Sequence, residues 1–358
     1  MIPYFIVFFI CLIFTFIDFS TKSKTRKNLL IIVYGLLFIF FAGIRWETGT
    51  DWVNYLWAFN TINSVSHGGS GYEYLYELLL RFSSSLSNNY TLFLFLTALI
   101  IVSLTSKVLK KYSPYPLFSF LLLLSYSINS SGFGYRQDLA IVIVFFSFYY
   151  IIDSKVYYFI ALVIIATLFH QSAIIFLPAY WMAKINWNRK KIVILLLLLT
   201  IIYFFTNSVT DIATIYSDSA AMKVSGYSEL DEEQKTMGKG DPLILLIKGL
   251  SNRFVFFIPA LLVFYKNKEN VVYKAALNIF ILGISLYVIF FPLGAVFLRF
   301  SRYFDIFHIL LIPLAVYFSK RNTRIFLFIF YLIICIIKFS LVLLEDDKVY
   351  VPYKTIFS

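Results

Sequence analysis

The feature that most limits what this chain can become is its succession of long apolar runs. A helix needs about 20 consecutive apolar residues to cross a bilayer, with a range of roughly 17–25. About a dozen segments approach or meet that length: 2–19, 29–44, 90–106, 115–131, 138–152, 156–169, 171–183, 192–207, 243–265, 275–297, 303–318 and 325–344. The 358 residues are 60% hydrophobic and only 14% charged. Soluble domains are roughly 45–50% apolar and about 25% charged, and one soluble core grows too slowly with chain length to hide the excess. The sequence therefore predicts an all-α, polytopic integral membrane protein with about 11–12 transmembrane or re-entrant helices. No internal repeat or linker divides it, so residues 1–358 read as a single multi-spanning domain.

A net charge of +12 invites a nucleic-acid partner, but the placement of the charge argues against one. The basic residues form short clusters between apolar runs, as in Lys22, Lys24, Arg26 and Lys27, and again in Arg189, Lys190 and Lys191. Membrane proteins mark their cytoplasmic side in this way. With the N-terminus outside, the inner loops are 20–28, 107–114, 153–155, 184–191, 266–274 and 319–324, and they hold more than half of the 31 basic residues. The N-terminal run has neither a basic leader nor a small-residue cleavage site, so it reads as a retained first helix. Cys11 and Cys335 both lie in apolar runs, which predicts neither a disulfide nor a metal site.

This orientation leaves two long external segments, at about 45–89 and 208–242. The first is rich in Tyr, Trp, Ser and Asn; the second carries Glu229, Asp231, Glu232 and Glu233. Aromatic rings interleaved with amides and hydroxyls suit sugars, which offer apolar faces and hydroxyls together. The same aromatics also suit an interfacial amphipathic helix, which Tyr72–Leu86 resembles.

The informative residues are ionisable groups at the membrane boundary, where each costs roughly 2.5–3.5 kcal/mol at a helix centre. Those on the outer side are Arg45, Asp51, Arg136, His170, Arg299 and Arg302; Lys248 and Arg253 lie within the 243–265 run. Arg45 precedes a Gly- and Thr-containing turn and either snorkels to the interface or meets a ligand. Arg136 follows the run Ser130-Ser131-Gly132-Phe133-Gly134-Tyr135 at a helix start, which is either ordinary capping or an anion site. His170 sits between two half-length apolar runs, as a structural residue or as a cavity-facing base. Arg299 and Arg302 are three apart and share a helix face, with Asp305 placed to neutralise Arg302. His308 and His67 receive no role. Arginine forks match phosphate oxygens, so repeated arginines at one face predict a phosphate-bearing ligand. No Asp-x-Asp pair or His cluster marks a metal or other cofactor, which leaves arginine to stabilise a leaving pyrophosphate.

Four of these segments resemble motifs of the EpsG family of Wzy-type polysaccharide polymerases. They are Arg45-Trp46-Glu47-Thr48-Gly49-Thr50-Asp51-Trp52-Val53-Asn54-Tyr55, Gly134-Tyr135-Arg136-Gln137-Asp138-Leu139-Ala140, Phe169-His170-Gln171-Ser172-Ala173 and Arg299-Phe300-Ser301-Arg302-Tyr303-Phe304. Their order and spacing match over roughly residues 25–320, and Gly134-Tyr135 departs from the residues common before the arginine. The resemblance implies a fold similar to the C-type lipid-dependent glycosyltransferases. It also implies polymerisation of O-antigen, capsule or exopolysaccharide repeat units carried on undecaprenyl pyrophosphate. Family positions carried over are Arg45, Asp51, Arg136, Gln137, His170 and Arg302.

Both readings together predict a multi-pass protein of the bacterial cytoplasmic (inner) membrane that acts on its outer side. The growing glycan moves from its lipid carrier to the next lipid-linked unit, with inversion and without a metal. Arg45, Arg136, Gln137, Arg299 and Arg302 bind substrate, and His170 or Asp51 serves the acceptor hydroxyl. The expected partners are undecaprenyl-pyrophosphate-linked oligosaccharides, membrane lipid and a chain-length regulator. An O-antigen ligase uses the same donor and is the alternative enzyme. A flippase is the alternative outside enzymology, but it predicts two related halves and charges along a whole transmembrane path, neither of which the sequence has.

Overall fold

The computed structural model describes residues 1–49, 51–127, 136–187, 189–216, 242–293, 295–345 and 351–357. Among them, seven helices are long and apolar enough to cross a membrane by length and composition, which makes the chain a multi-pass helical membrane protein. It forms two compact units, residues 1–177 with 308–358 and residues 178–307. The run 130–135 and the acidic cluster at 229–233 lie outside the described residues.

In chain order the first unit begins with α1 (Ile2–Ser20), α2 (Lys24–Gly43), the short strand β1 (Arg45–Trp46), α3 (Trp52–Thr61) and α4 (Tyr74–Leu86). It continues with α5 (Tyr90–Tyr112), α6 (Pro116–Ser127), α7 (Arg136–Ile152) and α8 (Val156–Thr167). The second unit holds α9 (Ala179–Met182), α10 (Arg189–Tyr216), α11 (Pro242–Phe264), α12 (Val271–Phe290), α13 (Ala295–Leu298) and α14 (Arg302–Asp305). The chain then returns to the first unit with α15 (His308–Phe318), α16 (Arg321–Glu345) and β2 (Lys354–Thr355).

Helix α1 shows how the first unit divides its apolar surface. Tyr4, Val7, Phe8, Cys11, Thr15 and Asp18 are buried, while Ile6, Phe9, Ile13 and Phe16 are exposed on the opposite face. A helix apolar all round, with one face left uncovered by protein, belongs in lipid. Buried Asp18 ties three helices at one end: its Oδ2 accepts the Leu117 N–H of α6 at 2.8 Å, and Lys27 Nζ of α2 lies 3.2 Å from Oδ1. Helix α2 also packs closely on α5, where a Cβ on Gly43 would stand 2.5 Å from the Phe95 ring.

Several sequence expectations change. The 45–89 segment holds two helices, α3 and α4, and α4 (Tyr74–Leu86) is the amphipathic helix that Tyr72–Leu86 resembled. The 171–183 run forms a 3₁₀ turn over Gln171–Phe176 and then the single turn α9. Residue 178 is proline and has no N–H for the Ile174 carbonyl, which takes the Leu177 N–H at 3.1 Å instead. The 303–318 run is likewise interrupted, between α14 and α15. The C-terminal residues come back onto the first unit: Arg45 pairs antiparallel with Thr355, and the Tyr353 hydroxyl donates to the Phe41 carbonyl while its ring stacks on Phe41 at 4.5 Å.

Candidate functional site

In the first unit the site grows from the loop before α4. Glu77, buried in the first turn of α4, accepts the Gly68 N–H at 3.2 Å, the Ser70 hydroxyl at 2.6 Å and Arg81 Nε at 2.9 Å. Arg81 in turn donates to the Val65 carbonyl at 2.8 Å. These bonds fix the loop, and Gly71 turns it with φ +71, a conformation that side chains disfavour. The next two residues, Tyr72 and Glu73, are thereby presented to α7 and to the end of α8. A backbone bond from the Leu75 N–H to the Leu168 carbonyl, 2.9 Å, closes the same junction.

Glu73 is the hub. Its Oε2 accepts Arg136 Nη1 at 2.9 Å, and its Oε1 lies 2.9 Å from His170 Nδ1 and 3.2 Å from the Gln171 N–H. Burial alone would raise the carboxyl. The bond to His170, the Arg136 charge and the backbone donors outweigh it and hold the group at about 2, below its ordinary 4.5. Glu73 is therefore ionised and can only accept, so Nδ1 of His170 is the donor in their hydrogen bond. His170 is extended (φ −157, ψ 116), where the chain leaves α8 for the 3₁₀ turn, and its side chain is 21% exposed.

Arg136, the first residue of α7, also hydrogen-bonds the Tyr55 hydroxyl, and its guanidinium lies 5.2 Å from the Tyr72 ring. Burial pushes the Tyr55 hydroxyl up, and Arg136 counters only part of that. Asp51, immediately before α3, is half-buried, and its charge acts on Tyr55 and Tyr72. Asp51, Arg136 and His170 thus gather around Tyr55, Tyr72 and Glu73. Gln137 and Asp138 point into the helix packing and are buried. Arg45 is enclosed at 2% exposure, with its guanidinium 5.9 Å from the Trp52 ring. Of the two glycines near it, only Gly49 (φ 105) makes a turn; Gly43 is still helical.

In the second unit, Arg299 opens a 3₁₀ turn and Arg302 opens α14, and both are exposed. The fork of Arg253 grips Asp305, with Nε 3.0 Å from Oδ1 and Nη2 2.6 Å from Oδ2. The same guanidinium reaches Ser301 Oγ at 2.8 Å and the Gly249 carbonyl at 3.1 Å, and lies 3.7 Å from the Tyr287 ring. The sequence offered Asp305 to Arg302; the structure gives it Arg253 as a bidentate partner.

A family model described as the EpsG family matches residues 27–355. The chain belongs to the EpsG family. EpsG is a Wzy-type polymerase family, and membership supports a polysaccharide polymerase role. No curated protein and no solved structure matches the chain. The EpsG match takes in the C-terminal residues that pair with Arg45, well beyond the motifs legible by eye.

The site residue that sequence reading missed in this EpsG protein is Glu73. It stands beside an amphipathic helix pattern and looks like an ordinary first-turn acid. The available signal was Gly71-Tyr72-Glu73, a turn glycine followed by an aromatic and a carboxylate in a segment otherwise suited to sugars. Arg253 was visible as a charge inside an apolar run, but its partner lies 52 residues away.

Proposed function

We propose that this protein transfers a growing glycan from undecaprenyl pyrophosphate to the next lipid-linked repeat unit, at the outer side of the bacterial cytoplasmic membrane. The observation that carries the chemistry is the 2.9 Å contact between Glu73 Oε1 and His170 Nδ1. A carboxylate on Nδ1 orients the ring and stabilises the imidazolium that forms when Nε2 takes a proton, as in other base-assisted transfers.

In this reading Nε2 of His170 accepts the proton of the acceptor hydroxyl. The hydroxyl oxygen attacks the anomeric carbon of the donor sugar from the face opposite the pyrophosphate. The new carbon–oxygen bond forms as the bond to the pyrophosphate breaks, and the lipid pyrophosphate leaves with the electron pair. One displacement inverts the anomeric centre and needs no covalent intermediate. Arg299 and Arg302 present exposed forks suited to phosphate oxygens. Arg136 holds Glu73 and Tyr55, and enclosed Arg45 faces the ring of Trp52, the first residue of α3.

Reconstitution tests the reading. Purified protein in liposomes, supplied with the lipid-linked repeat unit of its own strain, is expected to lengthen the glycan. Deletion in the strain is expected to abolish the polymer ladder and leave lipid-linked single units. Transbilayer movement of the lipid without lengthening would identify a flippase, and transfer to lipid A core alone would identify a ligase.

A further inference from the structure

A second feature of the first unit lies along α3, where Leu56 follows Tyr55. It is a shallow, largely open cleft of about 490 Å³. Trp46, Leu56 and Tyr90 form its apolar walls, and Asn60, Ser87, Asn88 and Asn89 line the rest. The aromatic wall is braced: Trp46 packs edge-on against Trp52 at 5.3 Å, and Trp52 against Tyr90 at 5.2 Å.

The chemistry of this lining is selective. None of the lining residues is charged, so nothing in it recognises a phosphate. The Asn60 and Asn88 amides would lose their water to a hydrocarbon chain without gaining a partner, which disfavours a lipid tail. Asn89 already caps α5, accepting the Thr91 N–H at 2.9 Å. Asn60 and Asn88 are exposed, and neither side chain has a hydrogen-bond partner among the described residues. Each therefore offers two donors and an acceptor to a ligand. A ligand with hydroxyls around its rim and apolar C–H faces fits flat aromatic walls with amides beside them.

We infer that this cleft is a carbohydrate subsite that binds uncharged pyranose units of the lipid-linked glycan away from the reacting sugar. The inference rests on the polymerase reading above for the source of the sugar. Leu56 and Asn60 are one turn apart on α3, and Tyr55 of the same helix bonds Arg136, so α3 links the subsite to the Glu73–His170 pair. Binding energy from the distant sugars is then available to position the acceptor hydroxyl.

The test uses full-length protein in lipid nanodiscs. The binding probe is the strain's own repeat-unit oligosaccharide, freed from its lipid by mild acid and titrated calorimetrically. Wild type is expected to bind it. Trp46→Ala and the double variant Asn60→Ala/Asn88→Ala are each expected to weaken binding about tenfold, the scale of a lost anchor contact. In the polymerase assay the same variants should raise KM for the lipid-linked unit about as much, with kcat within about twofold. The asparagine pair is exposed, so its variant tests the subsite even if loss of Trp46 disturbs folding. Oligosaccharide affinity and KM unchanged in the asparagine variant, with wild type active, would overturn the subsite. Absence of lengthening by wild type would instead overturn the polymerase reading, and the oligosaccharide titration would still decide the subsite.

Discussion

Glu73 and His170 are 97 positions apart in the chain, yet Oε1 of one lies 2.9 Å from Nδ1 of the other. The carboxylate is built on the loop before α4, and the imidazole on the break after α8. The Leu75–Leu168 backbone bond joins those two places directly. In the proposed mechanism this relationship orients His170 as the base, and it sets the order in which substitutions should matter.

Glu73→Gln tests that orientation. An amide at this position can donate to Nδ1, which moves the imidazole proton to Nε2 and removes the base. Turnover on lipid-linked substrate is expected to fall by roughly two to four orders of magnitude, the usual worth of acid–base catalysis. Substrate binding should change far less. Near-normal kcat in Glu73→Gln would show that the carboxylate only holds Arg136.

His170→Ala and His170→Gln should lose turnover on the same scale, since an amide can orient a hydroxyl but cannot take its proton. Donor binding should persist in both. If His170→Gln retains turnover, Asp51, whose charge acts on Tyr55 and Tyr72, becomes the residue to test as proton acceptor. Single-turnover measurements separate binding from chemistry in each case.

Arg136→Lys and Arg302→Lys are expected to rescue the corresponding alanine variants poorly. One ammonium cannot hold Glu73 and Tyr55 together as the Arg136 guanidinium does, nor can it present a fork to phosphate at position 302. All four variants should insert normally. Full polymer ladders from both lysine variants would remove these arginines from the mechanism.

Acid should reveal the depressed carboxyl. Glu73 is held at about 2 in the folded chain, against an ordinary 4.5. An acid with a lowered folded pKa stabilises the fold above its unfolded pKa, because the unfolded chain takes up the proton first as pH falls. The melting-temperature advantage of wild type over Glu73→Gln is therefore expected to be constant from about pH 7 to 5. It should shrink below 4.5 and be gone near 2. An unchanged gap between about pH 5 and 3 in detergent melts would contradict the ionised hub.

Polymerisation is expected to proceed at an unchanged rate in EDTA, because arginine forks can supply the charge stabilisation that leaving pyrophosphate needs. A rate that collapses with chelator and returns with Mg²⁺ or Mn²⁺ would assign that task to a metal.

The membrane class was legible in the sequence because lipid burial depends on local composition: about twenty apolar residues span a bilayer wherever they occur. Asp51, Arg136 and His170 stood out for a similar reason, since a charge at the edge of an apolar run is costly wherever it sits. What each of them touches was not legible. A hydrogen bond forms only when two groups come within about 3 Å in the right orientation, and no local pattern encodes that. Glu73 therefore looked like a helix-start acid until the fold set it between Arg136 and His170. Arg45 looked like a boundary cation until the C-terminal strand closed over it. The Ile174 carbonyl shows the local limit from the other side: proline at 178 offers it no N–H, and it takes the Leu177 N–H within a 3₁₀ turn where a helix was expected. Sequence alone determined that the chain belongs in a membrane, because hydrophobicity sums along the chain. Tertiary structure alone decided which charges meet each other, because pairing depends on distance in space.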